Sequence, residues 1–123
     1  MIENGQIVLI PAAHLPDTIG HDKFAVCICN SRFLFFYFNS KPFKFTPDAQ
    51  VTVYGSLELH FLDHTSYIDT SKVHQLPPVA IRTAVQNGKV WSCPQSIIDR
   101  IKQAVSQHPH LSTVQRETAM NNL

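Results

Sequence analysis

Six side chains able to exchange protons or donate hydrogen bonds, His60, Asp63, His64, Ser66, Tyr67 and Asp69, fall within ten residues of sequence. Histidine suits proton transfer because its unperturbed pKa lies near 6.5. His60 and His64 therefore read as a base and acid pair, as two legs of a metal site, or as hydrogen-bonded side chains of a strand on which Glu58, His60 and Leu62 share one face. Ser66 and Tyr67 suit donation to a developing charge or base stacking, although a tyrosine beside a strand equally buries its ring and bonds its hydroxyl to backbone. A second pattern interleaves Lys23, Arg32, Lys41 and Lys44 with Phe33, Phe35, Phe43 and Phe45. Single-strand binders hold phosphates and stack bases with such a composition. Alternate aromatics of a strand fill the core, which leaves Lys41, Phe43, Lys44 and Phe45 as the exposed RNA-binding platform. His108-Pro109-His110 has no accompanying Cys or carboxylate cluster and reads as a helix terminus. No metal-ligand set and no cofactor is expected.

Those groups need a scaffold, and the sequence offers a β-rich front and a helical rear. Ile7-Val8-Leu9-Ile10, opened by Gly5-Gln6 and closed by Pro11, is the apolar run of a strand buried on both faces. Residues 11–22 hold two prolines, a glycine and two histidines and read as a loop. Phe24 to Cys29 and Arg32 to Phe38 follow as strands, paired as a hairpin through a tight Asn30-Ser31 turn. Pro42 makes Lys41 to Phe45 an irregular or edge extension. Val51 to Tyr54 and Leu57 to Leu62 read as one further strand region, bent at Gly55-Ser56. Pro77-Pro78 opens a helix over Val79 to Val85 that stops at an Asn87-Gly88 C-cap, and Lys89-Val90-Trp91 is extended. Ser92 and Gln95 form a capping-box pattern. Ile97, Ile98, Ile101, Ala104 and Val105 then recur at helical spacing, predicting a helix that ends near His108-Pro109. The polar segment 112–123 has too few apolar groups to offset its ordering entropy unless a partner covers it, and is expected to be a flexible tail.

Composition bounds the answer. With 123 residues, 44% of them hydrophobic, the chain can bury one core, and residues 1–111 are expected to form a single domain. Ten basic and nine acidic residues give a net charge of +1, which excludes a bulk electrostatic drive toward nucleic acid or anionic membrane and leaves only a local patch. Cys27, Cys29 and Cys93 are an odd set with poor spacing for a bridge or a zinc knuckle, so reduced thiols of a cytoplasmic protein are expected. No run approaches the roughly 20 apolar residues of a membrane span, and no membrane partner is expected.

Five or so short strands with Gly- and Pro-rich loops and a covering helix predict a mainly β, α+β domain, a small antiparallel SH3-like barrel with one or two C-terminal helices. Gly5-Gln6-Ile7-Val8-Leu9, followed by a loop and Lys23-Phe24-Ala25-Val26-Cys27-Ile28, resembles the opening of the MazF/PemK-like toxin superfamily, in which a Gly-Asp-Ile-Val strand leads to an Arg-Pro-Ala-Val-Val strand. The stretch His60-Phe61-Leu62, His64 and Ser66-Tyr67-Ile68, with the helix from Gln95 to Gln107, is similar to a subgroup of small bacterial and phage relatives of that superfamily. The similarity covers about residues 5 to 107. It implies a compact barrel that acts as, or descends from, a metal-independent endoribonuclease of a toxin-antitoxin system, with single-stranded RNA and an antitoxin as partners. In that setting Lys23, His60, His64, Ser66 and Tyr67 would gather at one end of the barrel as catalytic residues. Lys23-Phe24 stands where the family has Arg-Pro, giving a point charge in place of a planar fork. The alternative is a binding or regulatory module of the same fold that contacts protein or nucleic acid through strand edges and the Lys41 to Phe45 segment. Homodimerisation is expected under either reading, because the superfamily commonly pairs barrels and Phe33 to Phe38 carries more aromatic surface than one small core easily hides.

Overall fold

Every residue from Ala25 to Cys29 and from Phe35 to Phe38 is buried, so the strands that carry them must be covered on both faces rather than one. In the computed structural model, which describes residues 2–123, they lie at the centre of an antiparallel sheet. The strands are β1 (Gln6–Ile10), β2 (Lys23–Cys29), β3 (Leu34–Asn39), β4 (Gln50–Val53), β5 (Ser66–Asp69), β6 (His74–Gln75) and β7 (Val90–Ser92). The helices are a single turn α1 (Gly55–Glu58), then α2 (Pro78–Gln86), α3 (Gln95–Gln107) and α4 (Thr113–Asn122). The sheet runs β4-β5-β3-β2-β1-β7, with β6 paired to the start of β3. Its end strands β4 and β7 do not pair with each other, so the sheet is open. This is the mainly β, α+β antiparallel domain that the sequence predicts.

Alternation along the central strands sends side chains to two cores. Ile7, Val26, Ile28, Phe36 and Phe38 meet Val51, Val53 and Ile68 from β4 and β5, and Ile97 and Ile101 from α3. On the other face Val8, Ile10, Ala25, Cys27, Phe35 and Tyr37 pack with Ala80, Ile81 and Ala84 of α2. Each fully buried aromatic or aliphatic side chain here contributes about 1.5–3 kcal/mol of transfer free energy. Phe35 to Phe38 are thus hidden within one chain, which removes the aromatic-excess argument for a second copy. Among the described residues no helix is long and apolar enough to cross a membrane, and the three cysteines are free thiols.

Four expected segments form differently. The hairpin turn is not the tight Asn30-Ser31 but spans residues 30–33, so that Cys29 pairs with Leu34 and Arg32 lies in the turn before Phe33 at φ +58°. Leu57 to Leu62 is not a strand: after β4 the chain turns at Gly55 (φ +45°) into α1, leaving Leu57 91% exposed while Leu59 and Leu62 turn inward. A spacing of three, not two, brings those leucines to the core. The Ser92/Gln95 capping box does not form. Pro94 is the N-cap of α3 and the Gln95 amide donates instead to Asp99 at 2.8 Å. The capping box lies at α4, where Ser112 Oγ accepts from Gln115 N and Gln115 Oε1 accepts from Ser112 N, both at 3.2 Å. Residues 112–123, expected as a flexible tail, therefore hold a capped helix. Ala119 is buried, Met120 and Leu123 pack on the first core, and Asn122 Nδ2 donates to Ile28 O at 2.9 Å. A few well-placed contacts with β2 replace the apolar stripe that the segment lacks.

Candidate functional site

At the β2 entry and β3 exit, the sheet opens into a recess of about 240 Å³ lined by His21, Asp22, Lys23, Phe24, Phe38, Asn39, Ser40, His64 and Ser66. Strand register explains its composition. Ala25 pairs with Tyr37, so two residues outward Lys23 faces Asn39, and Lys23 Nζ donates to Asn39 Oδ1 at 2.5 Å. Phe38 pairs with Ile68, which places Ser66 at the start of β5, opposite buried Val53 and at the edge of the apolar core. Phe24 and Phe38, with ring centroids 6.3 Å apart, form the apolar wall. Phe24 continues into a cluster with Phe61 and Trp91, whose rings stack at 4.1 Å.

The polar groups of the recess are held in distinct ways. Lys23 is half-buried, and loss of hydration pushes its pKa below the ordinary lysine value while the charge of Asp69 pulls it back up. Lys23 Nζ also lies 5.6 Å from the centroid of the Tyr37 ring. His64 donates through Nδ1 to Asp63 Oδ1 at 2.5 Å, and this hydrogen bond holds the Asp63 carboxyl below the usual carboxylate range. Both partners are well exposed, His64 at 60%, so the contact orients the ring more than it stabilises the fold. His21 Nδ1 donates to the Asp22 carbonyl at 2.7 Å. Carboxylate and carbonyl can only accept, so each imidazole has its proton on Nδ1 and Nε2 is left to exchange one. Ser66 is 4% exposed and lines the recess together with the apolar wall.

Beside the recess, on the same sheet face as Lys23 and Asn39, lies a buried carboxylate. Asp69 falls opposite Tyr37 in the β3–β5 register and accepts from Gln50 Nε2 at 3.0 Å, Ser71 N at 2.9 Å and Ser71 Oγ at 2.5 Å. His74 stacks on Tyr37 with centroids 3.7 Å apart and planes within 8°, and burial pushes its pKa below the ordinary histidine value.

Of the five catalytic residues read from the sequence, the recess brings together Lys23, His64 and Ser66. His60 is not among its lining residues. Because Leu57 to Leu62 is a turn and not a strand, Glu58, His60 and Leu62 share no face. Glu58 pairs with Arg100, and exposed His60 meets the Phe61 ring edge-on at 5.4 Å. Tyr67 follows Ser66 on β5 and so leaves the face opposite to that of Ser66, the one that carries Lys23, Asn39 and Asp69, but it is not among the lining residues of the recess. Lys41, Phe43, Lys44 and Phe45 lie in the loop after β3, with Phe45 72% exposed and the Phe43 and Phe45 rings edge-to-face at 5.5 Å. Of the lining residues outside the set read from the sequence, His21 and Asn39 are the polar ones that bond within the recess or beside it; residue 39 falls opposite 23 only once the turn is known to span 30–33 and a bulge to lie between Cys27 and Cys29. Among the described residues no group of three or more His, Cys, Asp or Glu side chains is placed to hold a metal ion. Comparison of the chain with protein-family models, curated proteins and solved structures finds no match.

Proposed function

We propose that this chain is a MazF/PemK-like ribonuclease of the toxin type, a cytoplasmic protein that cuts single-stranded RNA without a metal ion and is held in check by an antitoxin, on an antiparallel sheet that curls as an incomplete SH3-like barrel. The observation that carries the reading is the recess itself, where one ammonium, two imidazoles with Nε2 left to exchange a proton, and a shielded hydroxyl stand beside an aromatic wall. Cleavage through the RNA 2′-hydroxyl needs a base at that oxygen, an acid at the leaving 5′-oxygen and donors for the phosphorane. His64 and His21 supply the two proton carriers, in place of the His60 and His64 pair, and Lys23 and Ser66 supply charge and a hydrogen bond to the non-bridging oxygens.

The reading is tested by incubating an RNA oligonucleotide and its 2′-deoxy counterpart with the protein in excess chelator and identifying product ends by mass. Only the RNA is expected to be cut, leaving 2′,3′-cyclic phosphate ends, with rates at least about 10²-fold lower in Lys23→Ala and His64→Ala. Intact RNA, or cleavage undiminished in both variants, overturns it. A second reading, a non-catalytic binding module, is favoured by one contact: Lys23 is already committed to Asn39. Tight RNA binding without cleavage would select that reading.

A further inference from the structure

The recess is not isolated from the aromatic loop. Lys23, on its rim, lies over Tyr37, and Tyr37 stacks on His74. Lys72, two residues before His74 and close enough that its charge bears on that imidazole, places its ammonium 4.9 Å from the centroid of the Phe43 ring. Phe43 meets Phe45 edge-to-face, and Lys44 caps Phe45 at 5.1 Å. One run of contacts thus leads from Lys23 through Tyr37 to His74, a second from Lys72 through Phe43 to Phe45, which is 72% exposed, and the chain between Lys72 and His74 joins the two. Lys41, Lys44 and Lys72 are exposed, whereas the nearest carboxylates are occupied: Asp69 is buried under three donors and Asp48 pairs with His108 and His110.

We infer that the Lys72, Phe43 and Phe45 surface is a distal subsite that holds the flank of a single-stranded RNA whose scissile phosphate sits in the recess, so that substrates must extend beyond the recess to bind well. The inference rests on the reading of the recess as an RNA site. Its chemistry favours a single strand over other occupants. An exposed ring such as Phe45 stacks an unpaired base while the ammonium groups beside it neutralise the flanking phosphates, whereas a duplex hides its base faces.

The probe is a pair of fluorescent 2′-deoxyuridine oligomers, a trimer and a nonamer, which lack the hydroxyl needed for cleavage, followed by anisotropy with the intact chain. The nonamer should bind at least about tenfold more tightly than the trimer. Phe45→Ala should weaken nonamer binding about tenfold and leave the trimer unchanged, and the exposure of Phe45 lets the variant fold. Lys72→Gln should lower the slope of log affinity against log salt by about 0.7 for the nonamer alone. Equal affinity for both lengths, or unchanged nonamer binding in both variants, overturns the inference. So does binding of a nonaglutamate peptide where neither oligomer binds, which would point to an acidic protein partner. Cleavage of RNA by a protein that ignores the distal residues would leave the ribonuclease reading standing alone; length-dependent binding without cleavage would leave the subsite standing and remove the catalysis.

Discussion

β2 and β3 run side by side through two environments. At the level of Cys27 and Phe35 both strands are sealed between α2 on one face and α3 with β4 and β5 on the other. Four residues outward, at Lys23 and Asn39, the same pair of strands is half-exposed and polar and forms the wall of the recess. The rigid part of the hairpin aims the free part. A lysine on a loop would lose more side-chain and backbone freedom on engaging a phosphate than one fixed by a strand whose continuation is fully buried.

The contrast can be broken by substitution. Phe36→Ala, at the sealed level, should cost about 3–5 kcal/mol in urea unfolding, whereas Lys23→Ala at the open level should cost less than about 1 kcal/mol; similar losses would mean that the open end is part of the core after all. Asp69→Ala tests the boundary between the two levels. Removing the carboxylate strands the donors of Gln50 and Ser71 and should cost about 1–3 kcal/mol, and a cost below about 0.5 kcal/mol would show that water already reaches them.

The smallest effect lies in alkali, where the two levels respond with opposite sign. Burial pushes the Cys27 and Cys93 thiols up to about 12 from an ordinary 9.0. Above pH 9.0 the unfolded thiols ionise first, the unfolded chain then binds fewer protons than the native one, and stability falls as pH rises. Lys23 is depressed below its ordinary 10.5, so the native chain releases that proton first and stability rises as pH climbs toward 10.5. Tyr37, raised by burial, adds to the fall, while Cys29, which burial raises but hydrogen bonding to Ser31 and Arg32 brings below its ordinary 9.0, sides with Lys23; the two large thiol shifts predict a net fall. Equilibrium unfolding at a series of pH values should show the fall steepened by Lys23→Met and flattened by Cys27→Ala; slopes that ignore both changes would remove the contrast.

Much of the sealed level was legible in the chain. The apolar runs of β1, β2 and β3, the Gly88 stop after α2, and the helical spacing of Ile97, Ile98 and Ile101 each carry a local signal that tertiary packing reinforces. Leu57 to Leu62 misled because three leucines are compatible with a strand or a turn, and the choice was made by Gly55, not by them. α4 was hidden for a related reason: its Ser112/Gln115 cap is a local signal, but the contacts that hold it on the core include the Ile28 carbonyl, which lies 94 residues away from Asn122. At the open level, Lys23, His64 and Ser66 announced themselves by type. Asn39 did not, since an asparagine at a strand end is ordinary until the register puts it against a lysine. His21, beside Asp22 in a loop, carried no periodicity to mark it.

Gly55 has a bearing on the recess as well as on the turn. A Cβ built there would stand 3.3 Å from the backbone carbon of His64 and 3.4 Å from its oxygen, on a residue whose φ of +45° already disfavours side chains. One methyl group would act as a shim between α1 and the chain at His64, moving that wall by a few tenths of an ångström through the backbone of His64 itself. The shape of the recess is thereby written partly as empty space, one carbon wide, at a position outside its own lining.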